Sequence, residues 1–188
     1  VAQDTATYPT DNRVTLTSGD KWSATSTSDP LGDIDLAKDT IAASVAKDPN
    51  VIIFGRDAWR VFRRHPQILA LISGGGAPGS PAVLTEEIAA KILNIKQVLV
   101  GNAIYLDAAG VTKRVWGDNV ILAYVPETPP EQRSIYEPAY GYTIRKTGNP
   151  QIDTYADNGG KIEVVRYTDL LAQAVVGASA GYLIKDVE

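Results

Sequence analysis

Gly74 and Gly79 bound the loop GGGAPG, which has the glycine spacing of a nucleotide-binding segment. The spacing matches G-x-G-x-x-G, a pattern that can place a pyrophosphate on the N-terminus of a helix. The pattern also needs a strand before the loop and a helix that opens within it. Here Pro78 and Pro81 stiffen the loop, and the next predicted helix begins only near Thr85. The surrounding sequence therefore favours a flexible connector over a dinucleotide site.

The residues that would have to assist phosphate or ribose binding are also out of place. Glu86 and Glu87 come too early, and Asp107 too late, for the acidic residue expected about 20 positions after the loop. For a P-loop, Ser80 and Pro81 occupy the positions of the required Lys and Ser or Thr. We therefore predict that calorimetry detects no NAD or ATP binding tighter than about 10 μM, or about 7 kcal/mol. A nucleotide- or sugar-handling α/β enzyme built on this loop is the alternative function.

Four aspartates at positions 29, 33, 35 and 39 could in principle hold a hard cation. Helical spacing distributes Asp29, Asp33, Asp35 and Asp39 over more than one face, and they lack the calcium-hand pattern. Acidic residues near the start of a helix already have a favourable interaction with its dipole. The sequence therefore predicts no metal site.

His65 is the only histidine, so any Ser/His/Asp triad would have to use it. It directly precedes Pro66, a helix-breaking position, which predicts a surface or capping residue. The sequence contains no cysteine, so it has no thiol nucleophile and no thiolate metal site. We therefore predict no catalytic, cofactor-binding or metal residues and no cofactor. The basic segment FRR at 62–64 suits pairing with an acidic neighbouring subunit.

Composition excludes two further classes of partner. Lys and Arg total 18 against 22 Asp and Glu, a net charge of −4, which is not the basic balance of a protein that binds nucleic acid through phosphates. No apolar run approaches the roughly 20 residues of a membrane-spanning helix. We therefore expect no specific nucleic-acid binding and no membrane partner.

The elements that surround these residues are mixed. Residues 1–28 are rich in Thr, Ser and Asp, and we predict them to be extended or weakly ordered. An amphipathic helix follows, with Asp29 as its N-cap and Pro30 in its first turn. VIIFG predicts a buried strand, RDAWRVFRRHPQILALI predicts helices broken at Pro66, and TEEIAAKILN predicts a helix capped by Thr85.

The second half is dominated by strand patterns. These are QVLVGNAIYL, VILAYV, YGYTIRK and KIEVVRY, and we predict a last helix in DLLAQAVVGASAG before YLIKDV. Strict alternation of strands and helices is absent, so the fold class is α+β rather than a doubly wound α/β sheet.

Five segments in this order resemble tailed-phage major capsid proteins of the HK97 fold, in the lambda-like major head protein group. The resemblance covers nearly all of residues 28–188, and the segments that carry it are SDPLGDIDLAKDTI, PNVIIFGRDAWRVFRRHPQIL, LTEEIAAKILNIKQVLVGNAIYLDAAG, VWGDNVILAYVP and PAYGYTIRK. The resemblance implies a structural subunit of a phage or prophage icosahedral capsid, located in the virion and in the host cytoplasm during assembly. The implied partners are copies of itself in pentamers and hexamers, with scaffold, portal or decoration proteins as further candidates.

The resemblance also implies a domain layout. Residues 1–28 would end the N-terminal part and extended loop, and 29–73 would form the peripheral domain, beginning a long spine helix near Asp29. Residues 74–83 would be a mobile connector, and 84–188 an axial domain with a return to the peripheral domain. VWGDNVILAYVP would be a core strand whose entry the Trp116 turn fixes, and Tyr140 and Tyr142 would be packing groups.

The resemblance further implies an N-terminal arm and most of an extended loop, which this sequence does not show. No methionine is present, so we expect further sequence before Val1. Because such an arm supplies contacts between subunits, we expect the 188-residue chain to be folded and mostly monomeric or a small oligomer. The longer protein should form pentamers, hexamers or closed particles, which sedimentation of both would show.

Overall fold

The computed structural model describes residues 2–72, 84–129, 132, 134 and 136–188. Its described helices are α1 (Pro30–Val45), α2 (Arg56–Phe62), α3 (Pro66–Ile72) and α4 (Glu86–Ile92). Its described strands are β1 (Arg13–Thr15), β2 (Val51–Gly55), β3 (Gln97–Gly101), β4 (Ile104–Leu106), β5 (Thr112–Arg114), β6 (Val120–Ala123), β7 (Gly141–Arg145), β8 (Gln151–Asp157), β9 (Ile162–Thr168), β10 (Leu171–Val175) and β11 (Gly181–Lys185).

The helices begin where the sequence predicts. The Asp29 carboxylate accepts the backbone N–H of Gly32 at 3.1 Å, and Pro30 fills the first turn of α1. The helix ends at Ala46, whose φ of 54° lies in the left-handed region. Thr85 caps α4 by accepting the backbone N–H of Ile88. The predicted N-caps are therefore confirmed.

A five-stranded mixed sheet forms the centre of the molecule, in the order β1-β11-β6-β2-β3. β6 runs antiparallel to both β2 and β11, whereas the β2–β3 and β1–β11 pairs are parallel. The sheet therefore takes strands from both sides of residues 73–83. Those residues, which include the Gly74 to Gly79 loop, lie outside the described part, so the connector and the domain boundaries stay predictions.

The helices cover one face of the sheet. Ile52 and Phe54 of β2 point into this layer, and the Phe54 ring lies 5.0 Å from that of Phe62 on α2. Trp22 completes the cluster, with its ring 5.8 Å from Phe62. On the opposite face a smaller apolar cluster forms around Ile121. Because side chains alternate along a strand, the apolar strands can fill both layers.

Two predictions about the first half of the chain are only partly correct. Residues 1–28 are not weakly ordered around Trp22, which is fully buried and donates its backbone N–H to Val187 at 2.8 Å. His65 is not a surface residue, because only 1% of its area is exposed. Its capping role is confirmed, since its Nδ1 accepts the backbone N–H of Gln67 at 3.4 Å. Trp22 fills the space between α1, α2 and the sheet.

The predicted last helix is also wrong. Its first half forms β10, which pairs antiparallel with β7, and Ala178–Ala180 forms a single 3-10 turn. The open edge of β7 provides the hydrogen-bond partner for LAQAV, and this pairing overrides the helix propensity of alanine. β8, which the sequence patterns did not indicate, pairs antiparallel with β9.

The observed fold class is α+β, as predicted, with one mixed sheet, four described helices and three separate pairs of strands. Among the described residues, no helix is long and apolar enough to cross a membrane.

Candidate assembly surfaces

The turn at residues 116–119 connects the sheet to the first strand pair. Backbone hydrogen bonds join it to β2, to α2 and to the segment after β11. The N–H of Gly55 donates to Asn119 at 2.8 Å, that of Asp57 to Gly117 at 3.2 Å, and that of Val187 to Asp118 at 3.3 Å. β6 starts directly after this turn, so its entry into the sheet is fixed from three sides.

Two glycines make room for that turn. A Cβ at Gly55 would overlap the carbonyl oxygen of Gly117, and a Cβ at Gly101 would overlap the Trp116 ring. Gly55 and Gly101 are paired at the ends of β2 and β3. The backbone can approach this closely only because both residues lack a side chain.

β4 and β5 form an antiparallel pair that carries apolar side chains into solvent. Ile104 and Leu106 share one face and are 66% and 70% exposed. At the turn, the Asp107 carboxylate accepts the Nζ of Lys113 and the backbone N–H of Val111, both at 2.9 Å. These interactions hold the pKa of Asp107 below its ordinary value. The strand pair is thus ordered by its own polar turn while its apolar face stays open.

β8 and β9 form the longest strand pair, and it too exposes apolar residues. The register places Ile152 opposite Tyr167 and Thr154 opposite Val165, so these four side chains share a face. Ile152, Val165 and Tyr167 are each more than 60% exposed. The other face carries an ion pair, in which Arg166 contacts Asp153 at 2.7 Å. One face therefore presents Ile152, Val165 and Tyr167, with Glu163 at its end, whereas the other presents the ion pair together with Tyr155 and Ile162.

β7 and β10 connect to the sheet through Tyr140. Its backbone N–H donates to the carbonyl of Tyr124 at 3.0 Å, and its hydroxyl is hydrogen-bonded to that of Tyr8. Burial raises the pKa of both phenols. Tyr142 donates its hydroxyl to the carbonyl of Glu137 at 3.1 Å. Both tyrosines 140 and 142 are thus packed and hydrogen-bonded, whereas Ile144 further along β7 is exposed.

The acidic residues singled out in the sequence do not converge. Asp29 caps α1, Asp33 accepts the indole N–H of Trp22 at 2.7 Å, and Asp35 pairs with Lys38 at 3.0 Å. Burial raises the pKa of Asp33, and the bond from Trp22 partly offsets this shift. In the part of the chain that the structure describes, no group of three or more His, Cys, Asp and Glu side chains is arranged to hold a metal.

His65 contacts a serine hydroxyl, but among the described residues no carboxylate is hydrogen-bonded to its ring, as a triad would require. Its Nε2 lies 3.2 Å from the hydroxyl of Ser28, which in turn donates to the carbonyl of Ala24 at 2.9 Å. Because Nδ1 accepts a hydrogen bond, Nε2 carries the proton and the imidazole is neutral. Burial lowers the pKa of His65, and the charge of Asp29 partly opposes that shift. The arrangement is structural.

The predicted basic segment at 62–64 divides between core and surface. Phe62 is buried in the aromatic cluster, whereas Arg63 and Arg64 are exposed. Sequence reasoning missed three arginines that surround the same place, namely Arg56, Arg60 and Arg114. Arginines at 56 and 60 are one helical turn apart on α2, a spacing that could have indicated them.

Solved structures of a phage-related protein and of a putative capsid protein share this fold. A phage-related protein of Bordetella bronchiseptica RB50 superimposes with a TM-score of 0.83 at 30% identity, over all of this chain and 57% of that one. A putative prophage capsid protein of E. coli CFT073 has the same fold at a TM-score of 0.50 and 19% identity, over 95% and 53%.

Sequence comparison gives the family. Residues 7–158 match the family described as phage major capsid protein E. The major capsid protein of Burkholderia phage BcepMu is 36% identical over all 188 residues, and the chain spans 59% of that protein's length. The chain belongs to the phage major capsid protein E family.

Proposed function

We propose that the chain is part of the structural subunit of a phage or prophage icosahedral head, which assembles into pentamers and hexamers around the genome. The observation that carries the proposal is the match of the whole chain, at 36% identity, to a major capsid protein. The subunit acts in the virion, after assembly in the host cytoplasm. Its role is structural, and it has no catalytic activity.

The finer layout is part of this proposal. Residues 1–28 end the N-terminal part, 29–73 belong to a peripheral domain and 84–188 to an axial domain of the HK97 type, with 74–83 as the connector. Similarity to two solved phage-related chains over at least 95% of the sequence supports this assignment. Strands from before and after residues 73–83 pair in one sheet, which would let the two domains act as one rigid tile.

The exposed strand pairs supply the contacts that a tile needs. Isolated exposed apolar residues are normal, but a continuous apolar face on a narrow strand pair marks an interaction surface. Such a face occurs on β8 and β9, around Ile152 and Val165. Repeated in closed symmetry, many modest contacts of this kind stabilise a shell.

Electron microscopy of the protein expressed from its whole gene with its neighbouring genes tests the proposal. Closed particles are the expected result. A protein that stays monomeric under every assembly condition tried would overturn it.

A paired variant then tests the surface. Ile152→Ser with Val165→Ser should abolish or greatly reduce particles, while the free energy of unfolding of the subunit changes by only about 0.5 kcal/mol, because both side chains are exposed. Gln151→Ser with Thr168→Ser, two polar positions paired with each other on the opposite face of the same strands, is the matched control and should assemble normally. Equal assembly by both pairs would show that this face makes no essential contact.

A further inference from the structure

Four arginines surround a cleft beside the end of the sheet. Arg56, Arg60 and Arg63 come from α2 and its C-terminal turn, Arg114 from the end of β5, and Asn102 from the residue after β3. The cleft has a volume of about 280 Å³. Elements distant in sequence therefore bring four guanidinium groups to one place in a chain whose net charge is −4.

Two of these guanidinium groups are already paired. Arg114 contacts the Asp57 carboxylate at 2.9 Å, and Arg60 contacts Glu188. The remaining carboxylate at the cleft is that of Glu86, so four positive charges face three negative ones.

The other two guanidinium groups have capacity for a ligand. Arg56 donates to the neutral amide oxygen of Asn102 at 2.8 Å. Arg63 is exposed and forms no ion pair with any residue that the structure describes. Guanidinium groups present their donors as a planar fork that matches a carboxylate, so Arg56 and Arg63 favour an acidic side chain as ligand.

The size and charge of the surroundings favour a protein carboxylate over nucleic acid. A volume of about 280 Å³ admits one or two side chains, whereas a duplex requires an extended basic surface. The net negative charge of the chain repels a polyanion but not a single carboxylate within a mixed surface.

The outer face of α1 provides a complementary surface on the same chain. Asp35 and Asp39 lie one helical turn apart, both are exposed, and Leu36 beside them is 59% exposed. Like charges at this spacing destabilise an isolated helix slightly, and Lys38 offsets only part of this through its contact with Asp35. An additional cationic partner would remove that repulsion.

The two surfaces lie over different halves of the sheet. α1 packs on β6 and β11, whereas α2 packs on β2 and β3 at the other end of the strand order. A cleft on one half that binds a face on the other half makes a heterologous, head-to-tail contact, which closes into a ring when the rotation permits.

We propose that the arginine cleft binds Asp35 and Asp39 of α1 on a second copy of the chain. This inference rests on the proposed capsid function and names a contact within it. Arg63 and Arg56 bind the incoming carboxylates, and the contact repeats around a ring of subunits.

Charge reversal in the protein expressed from its whole gene tests the contact. Arg63→Glu and Asp39→Arg should each reduce the particle yield at least tenfold, and the two together should restore it. Lys146→Glu reverses an exposed cation outside both surfaces and should leave the yield unchanged. A wild-type particle yield from Arg63→Glu, or an unrestored yield in the double variant, overturns the inference. In both cases the unchanged protein still forms particles, so the proposed function stands.

A disulfide trap gives a second readout, because these 188 residues contain no cysteine of their own, and oxidation of the whole-gene protein without added cysteines is its control. Leu36→Cys on α1 with Asn102→Cys at the cleft leaves the proposed aspartates and arginines in place, and oxidation after assembly should give a ladder of dimers, trimers and larger covalent species. Dimers alone would indicate an isologous contact. The absence of covalent species would mean that the cleft and the α1 face do not meet in the particle. Either result overturns the inference, as would binding of DNA at the cleft without a ladder. Wild-type protein that forms no particles would instead overturn the proposed function.

Discussion

The sheet with its helices and the three outlying strand pairs use apolar residues in opposite ways. Within the sheet, Ile52, Phe54 and Leu122 are fully buried, and each contributes to one continuous core. On the β8–β9 pair, Ile152 and Val165 are more than 60% exposed. Both regions are ordered strands, so the difference lies in what each strand is packed against.

That difference separates folding from assembly. The sheet buries its apolar area within one subunit, so its residues determine whether the subunit folds. The strand pairs are held by ladders and polar turns, and their apolar area is left for contact with other molecules. Changes in the two regions should therefore affect different measurements.

The largest contrast is expected between two aromatic truncations. Phe54→Ala should lower the free energy of unfolding by about 3–5 kcal/mol, because it opens a cavity beside Trp22 and Phe62. Tyr167→Ala removes an exposed ring from β9 and should cost no more than about 1 kcal/mol. Urea unfolding measures both. A similar loss in the two variants would break the comparison, because Tyr167 would then have to be part of the subunit core.

A smaller loss should follow from adding one methyl group where the Trp116–Asn119 turn crosses the sheet. Gly55→Ala should lower the free energy of unfolding by about 1–3 kcal/mol, because its Cβ would overlap the Gly117 carbonyl. Gly19→Ala is the matched control, since the nearest atom to its Cβ would be Thr27 Oγ1 at 3.4 Å. It should change stability by at most about 0.5 kcal/mol. Equal thermal melting of the two variants would contradict the close approach seen at Gly55.

The third prediction concerns acid stability and the buried imidazole. The pKa of His65 is lowered in the folded protein, so the unfolded chain binds a proton first as the pH falls. Its contribution to stability should be complete above pH 6.5 and should be lost as the pH falls from there through the folded pKa. His65→Gln should remove this loss.

Urea unfolding at several pH values between 7.5 and 5 measures the effect of His65. As the only histidine in the sequence, it can also be titrated without overlap by NMR. A folded pKa at or above 6.5 would contradict the burial of the ring.

The smallest effects should come from two carboxyl groups with opposite shifts. Burial raises the pKa of Asp33 despite its bond from Trp22, whereas Lys113 and the Val111 N–H lower the pKa of Asp107. Above pH 3.8 the folded state is thus less stable because of charged Asp33, and more stable because of charged Asp107. The stability that protonated Asp33 contributes at low pH is lost as the pH rises through its folded pKa. The stability that charged Asp107 contributes is lost as the pH falls through the folded pKa of Asp107.

Carboxyl carbon titration by NMR separates these two groups. Asp33 should titrate above 3.8 and Asp107 below it. Asp33→Asn should raise the free energy of unfolding at neutral pH, whereas Asp107→Asn should lower it. A higher pKa for Asp107 than for Asp33 would contradict the comparison, because it would make the carboxyl on the strand pair the more strongly desolvated one.

Local signals in the sequence were sufficient for the four described helices and for β2, β3 and β6 of the sheet, but not for β1 and β11. Asp29, Pro30 and Thr85 mark helix starts by hydrogen bonds and dihedral preferences that act within four residues. VIIFG and VILA are rich in β-branched residues and have no polar side chain, as strands buried on both faces should. Family resemblance then supplied the class of protein, which no single residue indicates.

Features that depend on distant partners could not be predicted. Trp22 is buried only because α1 and the segment around Val187 enclose it, and the polar sequence around it gives no sign of this. β10 is a strand because β7 lies beside it. The arginine cleft unites α2 with β5, so Arg114 joins Arg56 only in three dimensions. Each case requires the tertiary structure.

The pairing of β1 with β11 has a consequence for synthesis on the ribosome. Arg13 is aligned with Leu183, so β1 has no partner strand until β11 has been synthesised. β6 is also without its neighbour on that side until residues 181–185 emerge. Contacts this far apart in sequence slow folding and leave strand edges open in the nascent chain. We therefore expect the sheet to stay incomplete until residues 181–185 have left the ribosome, so that it forms late relative to the synthesis of β1, β2 and β6.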